Sequence, residues 1–271
     1  MFGKERKVSL DDSFARYIVF GKGKKTLIMI PGLGEALKGL KGQAFILSLY
    51  YKKFAKDYTV YVIGRKEIVP QGYSTRDMAN DVVRVLDSIN IKNADIVGIS
   101  QGGMIAQHIA INYPERVNKL VLGITISKPS ETLQKVVNAW INMASNGDYK
   151  ALISDTMEKT YTQKHYKKYK MFLPLITRIG KPKSFERFIN QAYSCLNHNT
   201  YDKLFRIKAN TLILGGDSDN VVGGDSSSQI AEKIPNNKFV LYKGLGHGAY
   251  EETKSFNKEI IDFLKLKWKL L

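Results

Sequence analysis

Cysteine is almost missing from this chain. Cys195 stands alone among 271 residues, which excludes an internal disulfide and fits a reducing compartment. No window approaches a run of roughly 18 uncharged apolar residues, so no membrane span is expected. Met1 to Lys7 carries charges with no apolar segment behind it, so no signal peptide is expected either. Together these readings predict a cytoplasmic protein. Histidine is scarce, with four in the chain, and no Cys/His or His/Asp spacing suggests a metal site. Internal repeats and low-complexity segments are also absent. What is present is a globular composition, 44% hydrophobic and 25% charged, at a length that suits one large domain or a domain carrying a sizeable insertion.

Acidic residues are outnumbered, 25 against 42 basic ones, for a formal charge of +17. Basic surfaces attract phosphate backbones, but here the excess is mostly lysine spread along the whole chain. Arginine, the better planar phosphate reader, is sparse. The densest cluster, Lys164-His165-Tyr166-Lys167-Lys168-Tyr169-Lys170, reads as a solvated helix face. No nucleic-acid partner is expected, and the oligomeric state is not legible.

Short apolar, β-branched runs alternate with helical patterns. The runs are Thr26–Ile30, Tyr58–Ile63, Ala94–Ile99, Lys119–Thr125, Thr211–Leu214 and Lys238–Tyr242. Several are apolar on both faces, as central strands of a helix-covered parallel sheet must be. Between the second and third, Ser74–Asn90 carries Met78, Val82, Val85, Leu86 and Ile89 on one stripe, with Ser74 and Asp77 at capping-box spacing. Upstream, Phe14–Phe20 and Thr26–Ile30 flank a Gly-Lys-Gly-Lys-Lys segment and read as an antiparallel edge hairpin. The alternation predicts an α/β fold, a mostly parallel central sheet flanked by helices. It breaks between about 128 and 204, where Pro129, Pro174 and Pro182 punctuate helical patterns at Glu131–Ala144, Tyr149–Lys159 and Phe185–Leu196. The expected organisation is therefore a core in two parts, 1–127 and 205–271, with a helical cap inserted at 128–204.

The chemistry gathers at Gly98-Ile99-Ser100-Gln101-Gly102. The G-x-S-x-G pattern is weak alone, but this one ends a buried strand and opens a helix. In that setting it is a nucleophile elbow, a strained turn that lifts the serine oxygen above the sheet. Gly98 and Gly102 fit because a Cβ there would meet the neighbouring strand and helix. A serine hydroxyl needs a base, and the base needs an acid to hold its tautomer. His108 sits too far along the following helix, and His165 and His198 fall in the insert. His247, in the glycine-rich loop after the last strand, is the candidate base. The acid is expected after the preceding strand, in Gly215-Gly216-Asp217-Ser218-Asp219-Asn220-Val221-Val222, where Asp217 and Asp219 compete and Asp225 is a weaker third.

Ile30-Pro31-Gly32-Leu33-Gly34, "GISQGGMIAQHIAINYPERVNKLVL" (98–122), "LILGGDSDNVV" (212–222) and "GLGHGAYEE" (244–252) together resemble the α/β-hydrolase fold family, of the capped esterase, lactonase and C–C hydrolase type, over nearly the whole chain. The resemblance implies Asp219 as the acid, three residues after Gly216 and ahead of an apolar pair. It implies backbone N–H groups of Leu33 and Gln101 as oxyanion donors, although Pro31 stands where many relatives have histidine. Glu251 or Glu252 would cap the last helix. The Pro31–Gly34 loop is not a dinucleotide turn, since the third glycine and the following acidic residue are missing; no cofactor is expected. Cys195 reads as a packing residue, and Trp140, Tyr161 and Tyr193 as pocket walls.

These features predict a serine hydrolase, carboxylesterase-like, acting through Ser100, His247 and Asp219 on a small ester-type substrate. The alternatives are acyltransferase, thioesterase or C–C hydrolase chemistry on the same residues, or a slow-turnover ligand-binding protein.

Overall fold

The computed structural model describes residues 3–11 and 13–266. Met1 and Phe2, part of the stretch in which no signal peptide is expected, and 267–271, the end of the second core segment, lie outside them. The strands are β1 (Lys4–Leu10), β2 (Ser13–Phe20), β3 (Lys25–Ile30), β4 (Tyr58–Lys66), β5 (Ala94–Ile99), β6 (Val117–Gly123), β7 (Asn210–Gly216) and β8 (Asn237–Tyr242). They form one sheet in the order β1-β2-β4-β3-β5-β6-β7-β8. From β4 to β8 neighbours run parallel, and β2 joins antiparallel to β1 and to β4.

The helices are α1 (Glu35–Lys38), α2 (Ala44–Tyr50), α3 (Thr75–Ser88), α4 (Gln101–Asn112), α5 (Glu131–Ser145), α6 (Tyr149–Thr160), α7 (Gln163–Lys170), α8 (Leu173–Ile179), α9 (Glu186–Leu196), α10 (Ser226–Ala231), α11 (Ala249–Glu252) and α12 (Lys254–Lys265). None of the described helices is long and apolar enough to cross a membrane. Alternation along the strands feeds two cores. In β3, Ile28 and Ile30 pack with α3 and α4 through Met78, Val82, Ile105 and Ile109, while Leu27 and Met29 pack on the other face with Phe256, Ile260 and Phe263 of α12. Each such side chain contributes about 1.5–3 kcal/mol on leaving water, so both faces of the sheet must stay covered. Ser74 caps α3 as its spacing predicts: its Oγ accepts from the Asp77 amide at 3.1 Å, and the Asp77 carboxylate accepts from the Ser74 amide at 3.0 Å.

Helices α5 to α9 all lie between β6 and β7 in the chain. Of these, α5, α6 and α9 share a third apolar cluster in which Val136, Trp140 and Phe188 pack with Leu33, Met104 and Val221 from loops and helix at the sheet's edge. The lysine-rich run at 164–170 is helical as read, α7, with only Tyr166 of it buried.

Two strand expectations need correction. The hairpin between β2 and β3 does not exist, because β4 lies between them and pairs with both. The connector passes over the start of β4 and is glycine for that reason: a Cβ on Gly21 would lie 2.3 Å from the Tyr58 carbonyl oxygen, and one on Gly23 2.0 Å from the Asp57 carbonyl carbon. On its other side β2 pairs with β1, Lys-Glu-Arg-Lys-Val-Ser-Leu, an edge strand too charged to show apolar alternation.

Two outcomes are expected. Gly23→Ala should lower the unfolding free energy by about 2 kcal/mol in a urea titration, whereas Gly34→Ala, whose Cβ meets nothing within 4 Å, should leave it unchanged. His198 is buried, with Nδ1 2.9 Å from the Thr75 hydroxyl, and stacks edge-on with His108 at 5.3 Å. Burial holds His108 down at about 4 and His198 well below the ordinary range. Both folded values lie below the unfolded one, so the unfolded chain binds protons first. Stability should be full above the usual histidine value and fall from about pH 7 to about pH 4, and His108→Gln should flatten that fall.

Candidate active site

The left-handed turn at Ser100, φ 53° and ψ −121°, joins β5 directly to α4. L-residues pay for that region, so it persists only where the surroundings enforce it. The enforcement is steric. A Cβ on Gly98 would lie 2.4 Å from the Gly102 carbonyl oxygen, and one on Gly102 1.9 Å from that of Ile30. The Ser100 amide donates to Gly123 O at 2.9 Å, and its carbonyl accepts from Thr125 Oγ1 at 2.7 Å. Gly103 is equally confined, with a notional Cβ 2.7 Å from Thr125.

His247 Nε2 stands 3.0 Å from Ser100 Oγ, and His247 Nδ1 stands 2.8 Å from Asp219 Oδ2. The other Asp219 oxygen accepts from the amides of Val221 at 2.8 Å and Val222 at 2.9 Å. A carboxylate so held accepts a hydrogen bond from Nδ1–H, which leaves Nε2 as the lone-pair nitrogen facing the serine. Asp219 and His247 are both buried. The two competing aspartates do other work. Asp217 Oδ1 accepts from the Gly244 amide at 2.7 Å and so ties the β7 loop to the β8 loop. Asp225 accepts from Gln229 at 2.6 Å, within α10.

Ser100 and Leu33 line one cavity of about 330 Å³ with Met104, Trp140, Tyr161 and His247. The loop carrying Leu33 lies close against Ser100, since a Cβ on Gly32 would sit 3.2 Å from Ser100 Cβ. Gln101 is the first residue of α4, so its N–H has no acceptor within the helix. Its side chain turns away from the cavity: Oε1 accepts from Arg65 at 2.7 Å, and Nε2 donates to Gln191 O at 2.9 Å. Cys195, at the same junction, is a packing residue as read. Tyr193 is not a wall; it is 46% exposed on α9.

Sequence reasoning missed two arginines. Arg65, buried at the end of β4, donates through Nη2 to the carbonyl of Pro31 and to Gln101, bridging the Leu33 loop and the elbow. Burial lowers its pKa only to about 10, so it remains a cation. Arg187 on α9 grips Glu35 of α1, with Nη2 2.8 and 2.9 Å from the two carboxylate oxygens and Nη1 3.0 Å from its carbonyl. No spacing announces either, because both work through backbone carbonyls remote in sequence. Glu251 and Glu252 are not caps. α11 has Gly248 at its N-cap and α12 is capped by Thr253, while Glu251 pairs with Tyr161, and Glu252 accepts from Thr162 Oγ1 and lies 2.6 Å from His165 Nδ1. Their job is to fasten the α6–α7 corner to the His247 loop.

Burial pushes the Cys195 thiol up to about 12, and the thiolate is the reactive form. A disulfide reagent such as dithionitrobenzoate should therefore leave the native protein unlabelled at about pH 8 and label one thiol after unfolding.

Comparison with known proteins agrees with this geometry. A family model described as the α/β-hydrolase fold matches residues 26–253. A candidate carbamate hydrolase, RutD, of Caulobacter segnis is 23% identical, with 90% of this chain and 92% of that protein covered. A 2-hydroxy-6-oxononadienedioate/2-hydroxy-6-oxononatrienedioate hydrolase of Paraburkholderia phymatum is 26% identical, with coverage of 97% and 92%. Among solved structures, an α/β-hydrolase enzyme from a Medee basin deep-sea metagenome library superposes with a TM-score of 0.84 at 20% identity, covering 98% of this chain and all of that one. The enol-lactonase of Burkholderia xenovorans gives 0.81 at 18% identity, with coverage of 96% and 100%. With an elbow between β5 and α4, a sheet in this strand order and a family match over most of its length, the chain belongs to the α/β-hydrolase fold family.

Proposed function

We propose that this chain is a serine hydrolase that cleaves a carboxylic ester or related carbonyl compound through an acyl-enzyme. The observation that carries the reading is the unbroken hydrogen-bonded line from Ser100 Oγ through the His247 ring to Asp219, at 3.0 and 2.8 Å. Ser100 Oγ adds to the substrate carbonyl carbon as its proton passes to His247 Nε2. The imidazolium is stabilised by Asp219 and returns the proton to the leaving oxygen. Water then repeats the sequence on the acyl-enzyme, with His247 as base, and frees the acid.

The negative charge that develops on the carbonyl oxygen needs donors placed in advance. The Leu33 and Gln101 amides are assigned to it, at the start of α4 where the helix dipole also favours negative charge. Arg65 would act behind them by fixing the Pro31 carbonyl, so that the Leu33 loop cannot swing away. Residues 128–204 are read as a cap on a core formed by 1–127 and 205–271. Trp140 and Tyr161 from that cap would wall the substrate side, where Trp140 Nε1 is anchored to Asp155 at 2.7 Å. A carbamate, like an ester, presents a carbonyl carbon bearing a heteroatom leaving group, so the name of one relative is compatible with the same chemistry.

The reading is tested with p-nitrophenyl acetate. Ser100→Ala should lose at least about 10⁴-fold in kcat. Asp219→Asn should lose about 10⁴-fold with the fold intact, because the wrong tautomer would face the serine. Turnover by Ser100→Ala equal to that of the wild type would refute the assignment.

A further inference from the structure

A second cavity of about 230 Å³ lies beside the one above Ser100. The two share Pro31, Gly34, Glu35, Tyr51, Ile99 and Tyr250 as lining. Ile99 immediately precedes Ser100, and Pro31 precedes the glycine whose notional Cβ lies 3.2 Å from the serine. The border between the two cavities therefore runs past the chain neighbours of Ser100 and of Gly32, on two separate segments. Beyond it the walls are mainly apolar, with Met29 and Val62 from the sheet, Leu47 from α2, Phe256 from α12, and Leu40 and Phe54 from the segments on either side of α2. Glu35, the carboxylate at the border, is occupied by Arg187. Lys38, the cation on the wall, is exposed at the rim. Tyr50 and Tyr51 stay neutral phenols, both pushed up by burial and Tyr51 to about 12.

The helix that closes this cavity is itself unusual. α2 turns Leu47 inward, yet Phe45, Ile46 and Leu49 on its other side are 56%, 61% and 54% exposed. For scale, an apolar cavity of about 150 Å³ accepts benzene. One half as large again, bordering the residues next to Ser100 and lined mainly by aliphatic and aromatic carbon, suits an alkyl chain over a charged group, whose hydration the few polar groups on the wall, Gln43 and Asn257 among them, cannot replace.

We propose that this second cavity is the acyl-chain site of the same active centre, so that the preferred substrate is an ester of a medium-length aliphatic acid whose chain passes the Pro31–Ile99 border and lies between α2 and α12. The inference rests on the assignment of Ser100 as nucleophile, and the leaving group then occupies the cavity under Trp140 and Tyr161.

The test compares kcat/KM for p-nitrophenyl octanoate and p-nitrophenyl acetate in the wild type, Leu47→Trp and Leu47→Ala. The octanoate-to-acetate ratio should exceed unity in the wild type and fall roughly 10-fold or more in Leu47→Trp, which fills the cavity. Leu47→Ala, which enlarges it, should move the optimum to longer chains, and this variant decides the matter if Leu47→Trp does not fold. A ratio that stays the same in the folded variants overturns the proposal. A binding measurement separates it from the hydrolase reading. Ser100→Ala should bind octanoate in titration calorimetry, and Leu47→Trp in that background should weaken binding roughly 10-fold or more. Binding of this kind without ester turnover would remove the hydrolase reading and keep the cavity assignment. Turnover that is indifferent to chain length, with no octanoate binding, would do the reverse.

Discussion

Everything at this site depends on one backbone torsion, the positive φ of Ser100. A serine in that region is strained by about 1–3 kcal/mol, and the strain is what raises its side chain clear of the sheet toward His247. The surroundings hold it there. Gly98 and Gly102 let the turn pass against Ile30, Gly103 lets α4 lie against Thr125, and Thr125 in turn grips the Ser100 carbonyl. Ile124, one residue before Thr125, also has a positive φ of 42°. A β-branched residue there is a marked outlier, so the strain of the elbow is shared with the strand end beside it. The Ile124 amide is held by Leu214 O at 2.7 Å, which links the ends of β5, β6 and β7.

That link explains how three remote segments meet. β5 carries the serine, β7 leads to Asp219, and β8 leads to His247, and in the sheet they follow the order β5-β6-β7-β8. Parallel strands deliver their C-terminal loops to one edge, so residues 119 and 147 positions from Ser100 become its neighbours without any local signal between them. Asp217 and Gly246 complete the alignment: Asp217 binds the Gly244 amide at 2.7 Å, and Gly246 passes so close to Ser218 O that a Cβ would lie at 2.8 Å.

Much of this was legible in the residues. The β-branched runs located every central strand, because a buried parallel strand cannot conceal its composition. The elbow was legible because its glycines are demanded by backbone contact, and His247 because no other histidine follows the last strand. Asp219 required the family resemblance, since Asp217 stands two residues away with the same chemistry and only their donors differ. β1 was illegible because a charged edge strand carries no apolar period. The placement of β2 failed because the glycines that look like a hairpin turn serve instead to clear the backbone of Asp57 and Tyr58. Arg65 and Arg187 could not be found, as their partners are main-chain oxygens and a carboxylate brought together only by folding. The apolar exterior of α2 was hidden too, because a hydrophobic septet reads as core until its outer face is seen.

The most direct test of the central claim, that geometry at residue 100 makes one hydroxyl abnormally nucleophilic, is covalent labelling with a fluorophosphonate probe followed by peptide mass spectrometry. The account predicts a single adduct on Ser100 in the wild type and its near-complete loss in His247→Gln. An adduct on another serine, or labelling of Ser100 undiminished without the imidazole, would contradict it.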